Sequence, residues 1–429
     1  MKMRKIIIVV LILLGCSGAL LISSVRGQAR SQGASQSLAL VGAKIYPSPT
    51  DKPIIAGIVL VRNGKIVAVG DQRKVKIPKN TRTLDSSGLI LVAGFWNSHV
   101  HFTEPKWENA NSLSALQLAR QIKEMLTRYG FTAVLDTGSF LQNTLALRRR
   151  IASGEVPGIT IRTTGSPFVP PDGTPFYVAP VKLPELTLPE EATKQVRERI
   201  ALGVDAIKLF AASPVSLDRP PVAMPVPLAK AAVTAAHALG KPVVAHPTNS
   251  AGINVVLESG IDILAHTTPD GAEPWSDELV KKLRSAGVAL APTLKLWKWE
   301  LERKGAPSAV SERFLNIAVE QLRAYSQAGG EILFGTDVGY MSDYDPTDEY
   351  LLMAKAGMDF RQILAALTTA PAKRFGVSER TGRIIRGMDA DFVLLSDDPA
   401  TDVKAFSKVR FTLRQGKVIY DSSDERQAD

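Results

Sequence analysis

The chain has a single cysteine, Cys16, in 429 residues. That scarcity excludes a disulfide-stapled scaffold, a cysteine zinc finger and an iron–sulfur cluster. Histidine is nearly as rare, with five in all, so each position carries weight. The 32 Gly and 27 Pro show no repeat, and with 45% hydrophobic and 22% charged residues the composition excludes a collagen-like, disordered or polytopic membrane chain. Acidic residues are absent from positions 1–29, where Lys2, Arg4, Lys5 and Arg26 supply four of the ten net positive charges. The rest of the positive charge is dispersed. Its one cluster, Arg148-Arg149-Arg150, reads as a solvated helix face, so no nucleic-acid partner is expected.

Residues 1–5 are basic, 6–25 carry no charge, and Gly27-Gln28-Ala29 places small residues where a signal peptidase reads. Residues 1–29 therefore read as a secretory signal peptide. Two alternatives stay open. Leu13-Leu14-Gly15-Cys16 matches a lipoprotein signal, although the residues after Cys16 stay apolar through Ile22, and the apolar run is long enough to remain as an anchor. All three place the folded part outside the cytoplasm, periplasmic or secreted, with the membrane reached only through such an anchor.

The length fits two or three domains, or one large barrel with a small companion. Residues 57–69 form two β-rich runs around Asn63-Gly64, a hairpin signal, and 391–395, 409–413 and 417–420 are short strands, the last two joined through Gln415-Gly416. Both ends of the mature chain, 38–88 plus 378–422, are expected to build one small β-sandwich domain. Between them, 89–377 alternates apolar runs with helical patterns. The runs are 89–96, 133–136, 159–163, 206–210, 243–246, 263–266, 288–291 and 332–336, and in 112–128 Ala115, Leu118, Ala119, Ile122, Met125 and Leu126 share one helical face. Eight such units predict an α/β chain with a (β/α)8 TIM barrel. A doubly wound sheet is the alternative, but no GxGxxG follows the first strand. The segment 164–189, with seven prolines, is expected to cover the barrel mouth.

Four histidines fall at predicted strand ends: His99 and His101 after the first, His246 on the fifth, and His266 on the sixth. Asp337 ends the eighth strand and Lys208 lies within the fourth. In a barrel these six converge on one mouth. Two residues apart on a strand, His99 and His101 point to one side and can chelate a metal ion, although an HxH alone is equally compatible with a structural role. His237 sits mid-helix and reads as a packing or surface residue. Lys208 has a bland reading too, as a core-edge lysine paired with Asp205 or another acid.

Taken together, LVAGFWNSHVHF, GVDAIKLF, GKPVVAHP, GIDILAHT and LFGTDVG, followed by LTTAPAKRFG and GMDADFVLL, resemble the amidohydrolase superfamily, the metal-dependent hydrolases related to imidazolonepropionase and to Xaa-Pro-type dipeptidases. The resemblance implies two divalent metal ions, zinc first among the candidates, held by His99, His101, Lys208, His246, His266 and Asp337. It implies that Lys208 is N6-carboxylated and bridges the ions, and that Asp337 is the catalytic proton shuttle. The chain departs from the pattern at Ala93-Gly94, at Asn97 and at 247–250, and the last departure weakens a dipeptidase specificity.

The implied reaction is cleavage of an amide, peptide or cyclic amide C–N bond by a water activated between the ions. A mononuclear deaminase of the same superfamily is the alternative, but the HxxE expected for it ends in Asn249 here. A lactone or ester hydrolase, and a non-catalytic binding scaffold, complete the readings. The substrate is expected to be a small molecule. Arg219, Lys295, Trp297 and Lys298, on loops expected at the mouth, suggest a carboxylate on it, unless they are solvated loop residues. A homo-oligomer is compatible with the sequence.

Overall fold

The computed structural model describes residues 37–424 apart from Ala272. The expectations for 1–29, Cys16 included, lie outside the described residues. Among the described residues, no helix is long and apolar enough to cross a membrane.

Strands from both ends of the described chain form one eight-stranded sheet. Lys417–Asp421, Val409–Arg414, Phe392–Leu395, Ile90–Ala93, Ser37–Ile45, Ile54–Arg62 and Lys65–Asp71 lie side by side in that order, and Arg82–Asp85 pairs with Ser37–Ile45. Both hairpin turns form where the dipeptides stand. Asn63 and Gly64 have φ of 50° and 77°, and Gln415 and Gly416 have 49° and 73°, the left-handed pair that matches strand twist in a two-residue turn. One face is closed by Leu40, Val59, Leu91, Leu394 and Leu413, all essentially buried.

Two sets of parallel strands occupy the middle of the chain. Phe95–Val100, Phe131–Asp136 and Thr160–Thr163 form one; Ile207–Phe210, Val243–His246, Ile263–Ala265 and Ala289–Ala291 form the other. Backbone contacts connect them. Asp205 N donates to Thr163 O at 2.8 Å, Ile332 bridges to Leu290, and Val338 bridges to Val100. Trp96, Leu135, Val244, Ala265, Ala291 and Leu333 form one buried cluster shared by both sets. Alternate residues such as Val134, Leu209, Ala245 and Leu264 pack on the other side with the helices. The helix Ala115–Met125 is typical: Ser114 caps it by accepting from Gln117 N, and Leu118, Ile122 and Met125 are its buried face.

Two predicted strands differ from the structure. The run 89–96 serves two sheets: Ile90–Ala93 runs antiparallel to Phe392–Leu395, whereas Phe95–Val100 runs parallel to Phe131–Asp136. Gly94 makes the switch, because a Cβ there would lie 2.3 Å from Thr132 Oγ1. The run 332–336 is not a regular strand. Only Ile332 and Val338 bridge to neighbours, and the backbone between them bends so that Asp337 N donates to His99 O at 2.8 Å.

Candidate metal centre

Strand alternation aims part of the site and two local irregularities aim the rest. Ile207 and Leu209 pack toward the helices, which turns Lys208 and Phe210 to the opposite side. Val243 and Ala245 do the same for His246. Ile263 and Ala265 face the shared interior, so regular alternation would send His266 toward the helices. Its φ of 71° turns it into the cavity instead, and Asp337 is likewise left-handed at 66°. His99 and His101 follow a register shift between Asn97 and Val100, where the strand departs from even pairing.

All six residues line one cavity of about 860 Å³. Asp337 Oδ1 lies 2.8 Å from His101 Nε2 and 3.4 Å from His99 Nε2, and Asp337 Oδ2 lies 4.0 Å from His266 Nε2. The His266 ring is 4.7 Å from both the His99 and the His246 ring. Supporting groups fix the rings: Gly138 O is 2.8 Å from His101 Nδ1, and Thr293 Oγ1 is 2.6 Å from His266 Nδ1. The backbone carbonyl can only accept, so Nδ1 of His101 carries a proton, and it is the neutral ring that would offer its Nε2 lone pair to a cation.

Electrostatics favour neutral nitrogen donors. Burial, reinforced by Lys208 and the neighbouring rings, holds His99, His246 and His266 well below the usual histidine range. His101 differs: burial lowers it, but the Asp337 carboxylate overrides this and leaves it raised. Burial pulls Lys208 down to about 7, against a smaller opposing pull from Asp337. The bland reading of Lys208 does not hold, because Asp205 instead pairs with Arg148 at 2.7 Å and accepts from Thr163 N at 3.1 Å. The Lys208 side chain makes no ion pair or hydrogen bond among the described residues.

The donor set suits a cation. Ligand atoms of His99, His266 and Asp337 lie within 4.8 Å of one another, all three residues are buried, and Asp337 Oδ1 has no aligned hydrogen-bond donor. His237, by contrast, is exposed and pairs with Asp262 at 2.8 Å, as its helix position suggested.

The four residues expected to grip a substrate are scattered. Trp297 lines the cavity, 6.2 Å ring to ring from His266, with its indole donating to Thr267 Oγ1 at 2.9 Å. Arg219 is exposed on the loop after Ile207–Phe210 and is not part of the cavity wall. Lys295 is buried, with its ammonium bound to Asp343 at 2.8 Å, and Lys298 pairs with Asp348 at 2.7 Å; neither reaches the cavity. Besides Lys208 and Asp337, the charged side chains that do reach it are Glu104, Asp270, Glu300, Arg303 and Lys304. Glu300 holds Arg303 at 2.8 Å, Lys304 at 3.0 Å and the Tyr340 hydroxyl at 2.8 Å. These were missed because a helix after the seventh strand gives no sequence signal of which side faces inward. The proline-rich segment does reach the cavity, through Pro167, Phe176, Tyr177, Val181 and Leu183.

A buried His99/His266/Asp337 group lining a cavity beside parallel strands makes a candidate metal centre. The model of the amidohydrolase family matches residues 90–419, and the chain belongs to that family. It is accordingly a hydrolase acting on C–N bonds. Ochratoxinase from Aspergillus niger is similar to it, 26% identical over 403 residues that cover 84% of this chain and 82% of that one. The crystal structure of A. niger ochratoxinase superposes with a TM-score of 0.74 at 19% identity, over 90% of this chain and 96% of that one. A Xaa-Pro dipeptidase solved with methionine in its active site gives a TM-score of 0.77 at 19% identity, over 90% of this chain and 100% of that one.

Proposed function

We propose that the chain is a binuclear metal-dependent amidohydrolase that cleaves an amide or cyclic-amide C–N bond in a small molecule. The observation that carries this reading is the convergence of His99, His101, Lys208, His246, His266 and Asp337 on one cavity, from five separate segments of the chain. The two parallel sets and the segment 331–338 are read as one closed (β/α)8 barrel over 89–377, with 38–88 and 378–422 as the small β domain. The leader is read as an export signal.

Two divalent ions, zinc first, would be held by those six residues and would supply an activated water and a polarised carbonyl. His99, His246 and His266 are kept neutral and so offer lone pairs at neutral pH. Lys208, lowered to about 7, is half unprotonated there, and its free amine can add to the carbon of CO₂ with release of one proton, giving a carbamate. Asp337 stands between three imidazoles, placed to take a proton and return it to the leaving nitrogen. Gly138 O and Thr293 Oγ1 hold two of the rings in place.

The deaminase reading loses ground on a specific contact. Asn249 Oδ1 accepts from Gly252 N at 3.1 Å as the cap of helix Ser250–Ser259, so this side chain is engaged in structure where that chemistry needs a carboxyl group. The test is a panel of N-acyl amino acids, dipeptides, lactams and lactones with metal-replete protein. Release of amine from at least one amide, abolished by a chelator, is expected; ammonia release from an aminopurine or pyrimidine without amide cleavage would favour the deaminase.

A further inference from the structure

Twelve large apolar side chains are exposed among the described residues, and four of them stand on the mouth of this one cavity. Phe140 is 47% exposed, Phe176 38%, Val181 41% and Leu217 79%. They come from three loops, those after Phe131–Asp136, Thr160–Thr163 and Ile207–Phe210. Exposed apolar side chains are common singly, but grouped around a cavity they mark a binding surface.

The collar continues inward. Val178, Leu183 and Phe210 carry the apolar lining down to Lys208, the one charged side chain in the wall between Thr137 and Leu217. The charges lie on other segments, as Glu104, Asp270, Glu300, Arg303 and Lys304. Leu296, Trp297, Leu301 and Phe314 line the cavity alongside those charges, so its apolar lining extends beyond the collar.

We propose that this collar is a substrate subsite that determines specificity. Resting on the amidohydrolase reading, it assigns the substrate class: amides carrying a bulky apolar group on one side of the scissile bond. Such a group lies against Phe140, Phe176, Val181 and Leu217, while the polar remainder faces Glu300, Arg303 and Lys304. The volume accommodates this, since cavities of roughly 300–1,000 Å³ bury ligands of drug size. Continuity of the collar with the ligand cluster favours substrate over a second copy of the chain, which would cover the rim but leave the apolar interior unfilled.

The experiment measures binding of inert ketomethylene analogues to metal-replete protein by calorimetry. One carries 2-naphthyl on the acyl side, one carries it on the amine side, and one carries methyl on both. At least one naphthyl analogue is expected to bind roughly 30-fold tighter than the dimethyl analogue. In F140S/L217S that preference is expected to fall about tenfold, with the dimethyl analogue unaffected. Both positions are exposed, and L217S alone serves as a second variant, expected to lose part of the preference. Equal affinities, no measurable binding of either naphthyl analogue at millimolar concentration, or a preference unchanged in the variants would overturn the proposal. So would a wild-type dimer that F140S/L217S dissolves, because the collar would then be an interface. The two readings fail separately. Naphthyl binding without cleavage of any amide would remove the hydrolase reaction and leave the collar; amide cleavage without apolar preference would do the reverse.

Discussion

Asn97 and Thr336 exchange two hydrogen bonds across 239 positions of sequence: Asn97 Nδ2 donates to Thr336 Oγ1 at 2.7 Å, and Thr336 N donates to Asn97 Oδ1 at 3.2 Å. Both residues are completely buried. Asn97 Oδ1 also accepts from His99 N at 3.3 Å, so one amide side chain ties the HxH strand to the segment that carries Asp337. Asn97 thus both donates and accepts in this tie, whereas a carboxylate there would only accept.

Asn97→Ala is therefore expected to cost about 1–3 kcal/mol of stability through lost buried hydrogen bonds. It should also lower metal content, because two ligand-bearing segments lose their tie. Urea denaturation and elemental analysis check the two effects, and an unchanged midpoint would remove the clamp.

Much of this site is legible in the sequence alone. The two hairpin dipeptides, the HxH pair and the strand-end position of His246 follow from local chemistry and spacing. What stays hidden there depends on backbone geometry. Gly94 divides one apolar run between two sheets, and nothing in 89–96 marks where. His266 enters the cavity only through a left-handed backbone, which no periodicity shows. Arg219, on a loop, and Lys298, on the helix Leu294–Arg303, follow the expected strands, but Lys298 pairs with Asp348 and Arg219 faces solvent. Loop position alone does not give direction.

That correction has a kinetic consequence. Arg219→Ala and Lys298→Ala are expected to keep kcat/KM within about threefold of wild type, as surface changes away from the site usually do. Trp297→Ala, which removes a cavity wall beside His266, should raise KM by about tenfold or more. A large effect of Arg219→Ala on a carboxylate-bearing substrate would return that side chain to the site.

Glu349 supplies a pH-dependent prediction. It is fully buried; one oxygen accepts from Lys295 N at 2.7 Å at the start of helix Leu294–Arg303, and Oε1 has no partner. Burial pushes it up to about 7, against the Lys295 and Leu294 amides, which lower it. A raised carboxyl contributes stability that is present below its unfolded pKa, about 4.3, and is lost as pH rises through 7. Relative to wild type, Glu349→Gln should thus gain about 2–3 kcal/mol between pH 5 and pH 8. Urea unfolding at the two pH values measures it, and a pH-independent difference would contradict the assignment.

Asp337→Asn keeps the size of the side chain but removes its capacity to carry a proton. Turnover is expected to fall by roughly 10²–10⁴-fold, the usual contribution of general acid–base catalysis. Single-turnover rates should fall with it, and a variant within threefold of wild type would place the proton transfer elsewhere.

The most direct test of the binuclear centre is elemental analysis of protein expressed with ample metal, in wild type and in Lys208→Ala, alongside amide hydrolysis. Wild type is expected to hold close to two divalent ions per chain and to lose activity with a chelator. Lys208→Ala should hold fewer, with activity partly restored by a short carboxylic acid standing in for the carbamate. One ion or none in wild type, or Lys208→Ala with full metal content and full turnover, would contradict it.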